Sequence, residues 1–320
     1  MSSEKNKPSN TESIMKRTGF RSADRVEKIA NIIFVICAFA AIVAVASITI
    51  YMIMKGVPAI FKVGLKEILF GTVWKPTASD PSYGILYVIL TSIVGTAAAI
   101  LIGVPIGVGT AIFLTEIAGK RLAAIIQPAV ELLAGIPSVV YGLLGIIILN
   151  PLMYQLELYL FKDSTTHQFT GGANLISAIF VLAIMILPTV ISISTSAIRA
   201  VPKQSRYSSL ALGATKMQTI LRVTLPSAKS GIITAIVLGI GRAIGEAMAI
   251  SLVSGSVVNL PLPFNSVRFL TTAIVSEMSY ASGTHREVLF TIGLVLFVFI
   301  MIINLALNKI LKKGELSSGK

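Results

Sequence analysis

Acidic residues are scarce in this chain: 14 Asp and Glu stand against 27 Lys and Arg, and charged residues make up only 13% of the 320 positions. Soluble domains carry about 25%, so this deficit, beside a 54% hydrophobic content, places the chain in a bilayer rather than in water. Cysteine is reduced to Cys37, inside an apolar run, which excludes a disulfide framework and a cysteine metal site. The histidines, His167 and His285, lie in separate loops without a cluster of other ligand types, and neither is assigned a role. No Gly-x-x-x-x-Gly-Lys-Ser/Thr stretch occurs, so the chain offers no phosphate-cradling loop of its own for a nucleotide. Repeats with a period of about 20–50 residues are missing as well. The net charge of +13 raises nucleic acid as a partner, but the basic residues form no single aromatic-studded patch, which argues against one.

Long apolar runs are what the sequence has instead. Residues 1–28 are polar and mixed in charge and read as a tail, mostly disordered, with a short interfacial helix at its end. The first apolar segment, 29–54, exceeds the core of a cleavable signal peptide and is long enough to span, so it reads as an uncleaved anchor in membrane lipid. Five further spans follow at about residues 85–114, 122–149, 175–198, 230–254 and 289–311. About 20 residues cross the hydrocarbon core, so the second and third spans are over-long and either tilt or break. Gly103, Pro105, Gly107 and Gly109 mark weak points in the second span, and Gly135 and Pro137 in the third. Gly103 and Gly107 also form a Gly-x-x-x-Gly step suited to close helix packing. Lys and Arg concentrate in the N-terminal tail, at 116–121, at 199–229 and toward the C-terminal tail 312–320, whereas the intervening loops are more balanced. By the positive-inside rule both termini are cytoplasmic. The expected fold is all-α, a polytopic membrane protein with six transmembrane helices.

The segment from Arg206 to Pro226 is a basic island between two apolar runs and holds no acidic residue. Its chemistry predicts a helix over 203–212, a turn at Gly213 and a second helix opened by Thr215, with Gln218 three residues on at capping-box spacing. Met217, Ile220 and Leu221 fall on one face of that second helix. Pro226, barred from a helix interior, starts the next span. An amphipathic helix-turn-helix between two spans reads as a docking element for a cytoplasmic protein.

Charges inside the spans narrow the function. In Gly241-Arg242-Ala243-Ile244-Gly245-Glu246, Arg242 and Glu246 are four apart and share a helix face. A mid-helix charge costs about 2.5–3.5 kcal/mol on insertion scales, so both should face a pore or a partner helix. Two readings stand: a structural ion pair that fixes helix register, or a cation in an aqueous path, where a guanidinium suits a tetrahedral oxyanion. Glu131 is the other interior charge, and it pairs with Arg242, pairs with a partner subunit, or lies near the cytoplasmic interface. Beyond it, Gly135-Ile136-Pro137 frees backbone groups that protein or pore water must satisfy, and Ser138 and Tyr141 place hydroxyls beside the break.

These stretches resemble a known family. Gly213 followed after nine residues by Val223-Thr224-Leu225-Pro226 is similar to the cytoplasmic loop of importer-type ABC permeases, with Tyr207-Ser208-Ser209 where that loop begins Glu-Ala-Ala. The runs Glu131 to Gly145 and Gly239 to Ile250 resemble the PstC-type permeases of phosphate ABC importers. Trp74-Lys75-Pro76, Tyr83-Gly84-Ile85-Leu86 and Phe269 to Met278 fit that family too, so the resemblance covers about residues 70–311. It implies a MetI-like (type I) bundle, with a permease domain at 85–311 and a coupling loop at 202–226. Ala211, Gly213, Ala214, Thr215, Leu225 and Pro226 of that loop would meet an ATPase. The implied partners are a related second permease (PstA-like), a dimer of ATP-binding subunits (PstB-like) that holds ATP and Mg, and an extracytoplasmic phosphate-binding protein (PstS-like). The implied location is a bacterial or archaeal plasma (inner) membrane. In that family the Arg and Glu matching Arg242 and Glu246 are implicated in moving the anion; Ser138, Tyr141 and Glu131 complete the expected translocation residues. Glu246 is expected to hold the Arg242 guanidinium and to accept a hydrogen bond that phosphate, unlike sulfate, donates near neutral pH. The expected function is phosphate import by alternating access, with neither catalysis nor a cofactor in this chain. A permease for sulfate, molybdate or phosphonate is the alternative; an ion-driven anion transporter has no use for the 213–226 loop.

Overall fold

The computed structural model describes the backbone of residues 10–318 and the side chains of residues 26–306 and 309; readings that fall on residues 1–9 lie outside the described residues. Within it, six helical stretches are long and apolar enough to cross a membrane: Val26–Val63, Leu86–Ile117, Ser138–Leu160, Leu175–Arg199, Lys216–Gly245 and Gly283–Ala306. The chain divides into two compact units after Met54. The first holds most of helix α1 (Asn10–Val63), whose backbone is helical from Asn10, where a mostly disordered tail was expected. None of its most apolar 18-residue stretch is buried within the protein.

The second unit opens with α2 (Leu65–Phe70) and a short antiparallel hairpin, β1 (Trp74–Lys75) and β2 (Ser82–Tyr83), in the register Trp74 to Tyr83. Helices α3 (Leu86–Ile112), α4 (Lys120–Ala134), α5 (Ser138–Leu144), α6 (Asn150–Leu160) and α7 (Leu175–Arg199) follow. Then come α8 (Lys203–Ala211), α9 (Lys216–Thr219), α10 (Leu225–Gly245), α11 (Met248–Val253), α12 (Leu270–Glu277) and α13 (Gly283–Ser318). Single π-helical turns at Gly145–Leu149 and Ile220–Thr224 join neighbouring helices without a break, and a third, Phe113–Ile117, extends α3 to its end before the extended residues Ala118 and Gly119.

Helix α7 is the centre of this unit: 56% of its apolar window is buried, against 22–28% for the unit's other spans. Its core residues Leu182, Met185 and Ile186 pack with Ala99 of α3, Ala243 of α10 and Ile250 of α11. Small residues allow that approach. A Cβ at Gly103 would lie 2.7 Å from Ile186 Cδ1 and one at Gly107 would lie 2.8 Å from Val190 Cγ1, so both glycines serve α3–α7 packing. The first turn of α7 has free N–H groups that need partners. Asn174 Oδ1 accepts from Ser177, and the carbonyls of Asn265 and Pro263 take the N–H groups of Leu175 and Ile176.

Two expected spans come out differently. The run 122–149 is not one helix: α4 ends at Ala134, and the crossing element is Ser138–Leu160. Pro137 has no N–H and disfavours helical backbone at the residue before it. Lys120, Arg121, Gln127 and Glu131 also give α4 a polar face. The fifth span begins earlier than residue 230, at Lys216, and stops at Gly245 instead of continuing to 254. The second span, by contrast, runs unbroken through Pro105.

Candidate functional site

Arg242 lies in the last turn of α10, half-buried. Its Nη1 donates to Thr189 Oγ1 of α7 at 3.1 Å, and among the described residues it makes no ion pair. Glu246 does not hold the guanidinium, which corrects the expectation that the two share a helix face. Its backbone is extended (φ −72°, ψ 132°), and its Oε1 accepts the Ala249 N–H at 2.9 Å. The carboxylate satisfies a free donor at the start of α11, as acidic groups do at helix N-termini, and so stabilises the break. Thr271 Oγ1 of α12 donates to the Glu246 carbonyl at 2.6 Å, holding the same turn from another side.

The second break behaves as the sequence suggested. Where α4 ends, the Leu133 carbonyl accepts Ile136 N–H and also the buried Tyr141 hydroxyl, the latter at 2.7 Å. Ser138 is half-buried in the first turn of α5. A Cβ at Gly142 would come within 2.9 Å of Ala249 Cα, so α5 and α11 touch and the breaks before them are neighbours. Glu131 is not brought in; it is exposed on α4 and accepts from Gln127 at 3.0 Å.

The helix-turn-helix forms as its spacing predicted. Helix α8 ends at Ala211, Gly213 takes a positive φ of 85°, and Ala214 N–H reaches back to the Ser209 carbonyl. Thr215 accepts from Gln218 N–H at 3.2 Å while the Gln218 side chain accepts Thr215 N–H at 2.8 Å, a complete capping box. Leu225 N–H reaches Ile220 across the π turn, and Pro226 lies just after that turn, inside the continuous Lys216–Gly245 helix rather than at the start of a span as expected. The expected shared apolar face is split at that π turn: Ile220 is buried, while Met217 and Leu221 are exposed with Tyr207, Leu210 and Leu212. Arg206 locks the loop to the bundle through Glu116 Oε1 at 2.7 Å and the Ile198 carbonyl at 2.5 Å. A cleft of about 320 Å³ beside it is lined by Lys203, Tyr207, Leu210, Lys216 and Ile220.

At the opposite end, both histidines have partners that sequence reading missed. Glu277, only 4% exposed, accepts from Arg268, from Trp74 Nε1 at 3.1 Å and from His285 Nε2 at 2.7 Å, tying the β1 hairpin, α12 and α13 together. Burial holds the Tyr83 phenol, beside Trp74 in this cluster, above its usual pKa. Glu157, fully buried, accepts from His167 at 2.8 Å and from Thr170 N–H and Oγ1, each at 2.9 Å. The available signal was a His with Glu157 in the loop region 150–174, and a His with Glu277 and Glu287 in the region 255–288. Thr189, a polar residue after Pro188 in an apolar helix, was also passed over.

Residues 103–314 match the family described as binding-protein-dependent transport system inner membrane component. A probable ABC transporter permease of Bacillus subtilis, YqgH, is 41% identical, over 88% of this chain and 91% of its own length. The phosphate transport system permease PstC of Xylella fastidiosa (strain 9a5c) is 35% identical, over 80% of this chain and 82% of its own. Among solved structures, a chain of a bacterial alginate ABC transporter superposes with a TM-score of 0.60 at 16% identity, covering 93% of this chain and 95% of that one, which supports the fold alone. With its six apolar helices and this extent of match, the chain belongs to the binding-protein-dependent ABC importer permeases, a membrane-spanning rather than a catalytic family, and PstC permeases are among its relatives.

Proposed function

We propose that this chain is one of two permease subunits of an ATP-driven importer of inorganic phosphate. The observation that carries the reading is Arg242, half-buried in a span, with one neutral hydrogen bond and no ion-paired carboxylate among the described residues. A guanidinium in that setting attracts an anion, and its planar fork matches two oxygens of a tetrahedral oxyanion. Relatives named for phosphate transport support phosphate as that oxyanion. In this reading Tyr141 and Ser138 shape the path beside the α5 break, and Glu246 keeps the α10–α11 turn open.

The termini and the α8–α9 loop face the cytoplasm in this scheme, and a second permease completes the path. Phosphate arrives from a binding protein on the far side. Tyr207, Leu210, Leu212, Met217 and Leu221, with Lys203, Lys216 and Arg222 around them, present an apolar centre with a basic rim for ATP-binding subunits. Those subunits hold ATP and Mg. Their closure moves the loop, and Arg206 carries the movement to the end of α7.

Labelled phosphate uptake tests this in cells lacking the gene, restored with wild type, Arg242→Ala or Pro226→Ala, with excess sulfate as competitor. Restoration by wild type, loss in Arg242→Ala and indifference to sulfate are expected. A second reading, another oxyanion, is kept because the Bacillus subtilis relative's name states no substrate. Strong sulfate competition, or normal phosphate uptake without the gene, would favour it.

A further inference from the structure

We propose that Thr189 is the second half of the anion-binding step at Arg242: it holds the guanidinium through its oxygen and donates its own hydroxyl proton to the passing oxyanion. The proposal rests on the reading of Arg242 given above.

The geometry begins with the 3.1 Å bond in which Arg242 Nη1 donates and Thr189 Oγ1 accepts. A hydroxyl that accepts in this way still has a proton to give. Helical Ser and Thr commonly give that proton to the carbonyl one turn back. Thr110, Ser196 and Thr234 do so here, at 2.8, 2.9 and 3.0 Å. Thr189 does not; its bond to Arg242 is its one side-chain hydrogen bond among the described residues. Its proton is therefore uncommitted, next to a cation that polarises the O–H and strengthens it as a donor.

Position supports the same role. Thr189 is half-buried between Pro188 and Val190, both buried, and Arg242 is half-buried too, so the pair reaches space that the helices leave open. Gly239, one turn before Arg242, allows α10 to approach α7: a Cβ there would meet Val190 Cγ2 at 2.9 Å. Glu246 is occupied with Ala249 N–H and does not compete for the guanidinium. What remains is a cluster of donors, the other guanidinium N–H groups and one hydroxyl, and that composition fits an oxygen-rich anion.

The test is uptake of labelled phosphate, with labelled sulfate in parallel, in cells lacking their own permease but carrying the partner subunits. Wild type, Thr189→Ser, Thr189→Val, Arg242→Ala and the Thr189→Val/Arg242→Ala double variant are compared at matched membrane abundance. Valine keeps the shape and removes the hydroxyl. Maximal uptake should fall roughly 10-fold in Thr189→Val, the loss expected for one charge-assisted hydrogen bond, and stay within about 2-fold of wild type in Thr189→Ser. The double variant should be no worse than Arg242→Ala alone, because both groups act on one anion. A Thr189→Val permease as fast as wild type, or a loss that multiplies with that of Arg242→Ala, overturns the proposal. If Thr189→Val does not reach the membrane, Thr189→Ala and Thr189→Cys are judged in the same way. If neither of those reaches it while Thr189→Ser does, the hydroxyl is structural and the proposal falls. Wild type that restores sulfate but not phosphate uptake defeats the phosphate reading alone, and Thr189 is then judged on sulfate. Wild type that carries neither anion overturns both.

Discussion

Val190 is clamped between two glycines, and that arrangement yields a prediction whose sign depends on background. The side chain is fully buried on α7. Its Cγ1 lies 2.8 Å from where a Cβ would sit on Gly107 of α3, and its Cγ2 lies 2.9 Å from one on Gly239 of α10. Gly239→Ala therefore forces a contact about 0.5 Å inside ordinary van der Waals range, and overpacking of this kind costs about 1–3 kcal/mol. Valine cannot swing the methyl aside, because a β-branched side chain in a helix has one strongly preferred rotamer and Gly107 blocks the other flank. Against this, alanine in a helix gains about 1 kcal/mol over glycine, so the net cost is about 0–2 kcal/mol. In a Val190→Ala background the clashing methyl is gone, and the next atom, Ile186 Cβ, lies at 4.0 Å. There Gly239→Ala should stabilise by about 1 kcal/mol, through helix propensity and partial filling of the cavity. The assay is the thermal midpoint of the purified permease complex in detergent for wild type, both single variants and the double. Each kcal/mol should move it by about 2 °C. Gly239→Ala having the same effect in both backgrounds would show that α7 and α10 do not meet through Val190, and the packing argument would fail.

Thr215→Ala removes the capping box and should cost about 1 kcal/mol locally; hydrogen exchange at the Gln218 amide should quicken about 5-fold, and unchanged exchange would count against the cap. Glu277→Gln leaves Arg268 unpaired in a largely buried cluster and should cost about 3–5 kcal/mol, read as a large drop in thermal midpoint, whereas a midpoint within a degree of wild type would deny the cluster a structural role. Tyr141→Phe takes one of two donors from the Leu133 carbonyl and should cost about 0.5–1.5 kcal/mol, with phosphate uptake above half of wild type. A collapse of uptake with stability intact would show that the hydroxyl meets the anion instead.

The span count, the helix-turn-helix and its cap were legible because their signals are local: apolar length, a Gly at a positive-φ turn, and Thr and Gln three apart. The end of the fifth span at Gly245 was not, because Gly241 and Gly245 sit in an apolar run, 230–254, that reads as continuous. The break exists because Glu246 bonds Ala249 N–H and Thr271 bonds the Glu246 carbonyl, and the second of these comes from 25 residues away. The third span broke at Gly135 and Pro137, where weak points were expected, but its bounds were misplaced for a related reason. Composition over 122–149 averages the polar face of α4 with the apolar α5, and only the Pro137 break separates them. The roles of the histidines depended on glutamates 10 and 8 residues distant folding back upon them.

The two breaks also settle how the polar side chains are employed. An interrupted helix exposes donors and acceptors that cannot stay unmet in an apolar surround. Tyr141 and Glu246, both marked from sequence as anion contacts, each commit a polar atom to that backbone, at Leu133 and Ala249. Had Glu246 paired with Arg242 instead, the guanidinium would have been neutralised and the α11 turn left without its cap. With the carboxylate engaged elsewhere, the one hydrogen bond of the Arg242 side chain among the described residues is to a neutral hydroxyl. A desolvated charge with so little compensation keeps its attraction for a diffusible anion. The same break that removes Glu246 from the guanidinium is therefore what leaves Arg242 without an ion-paired carboxylate among the described residues.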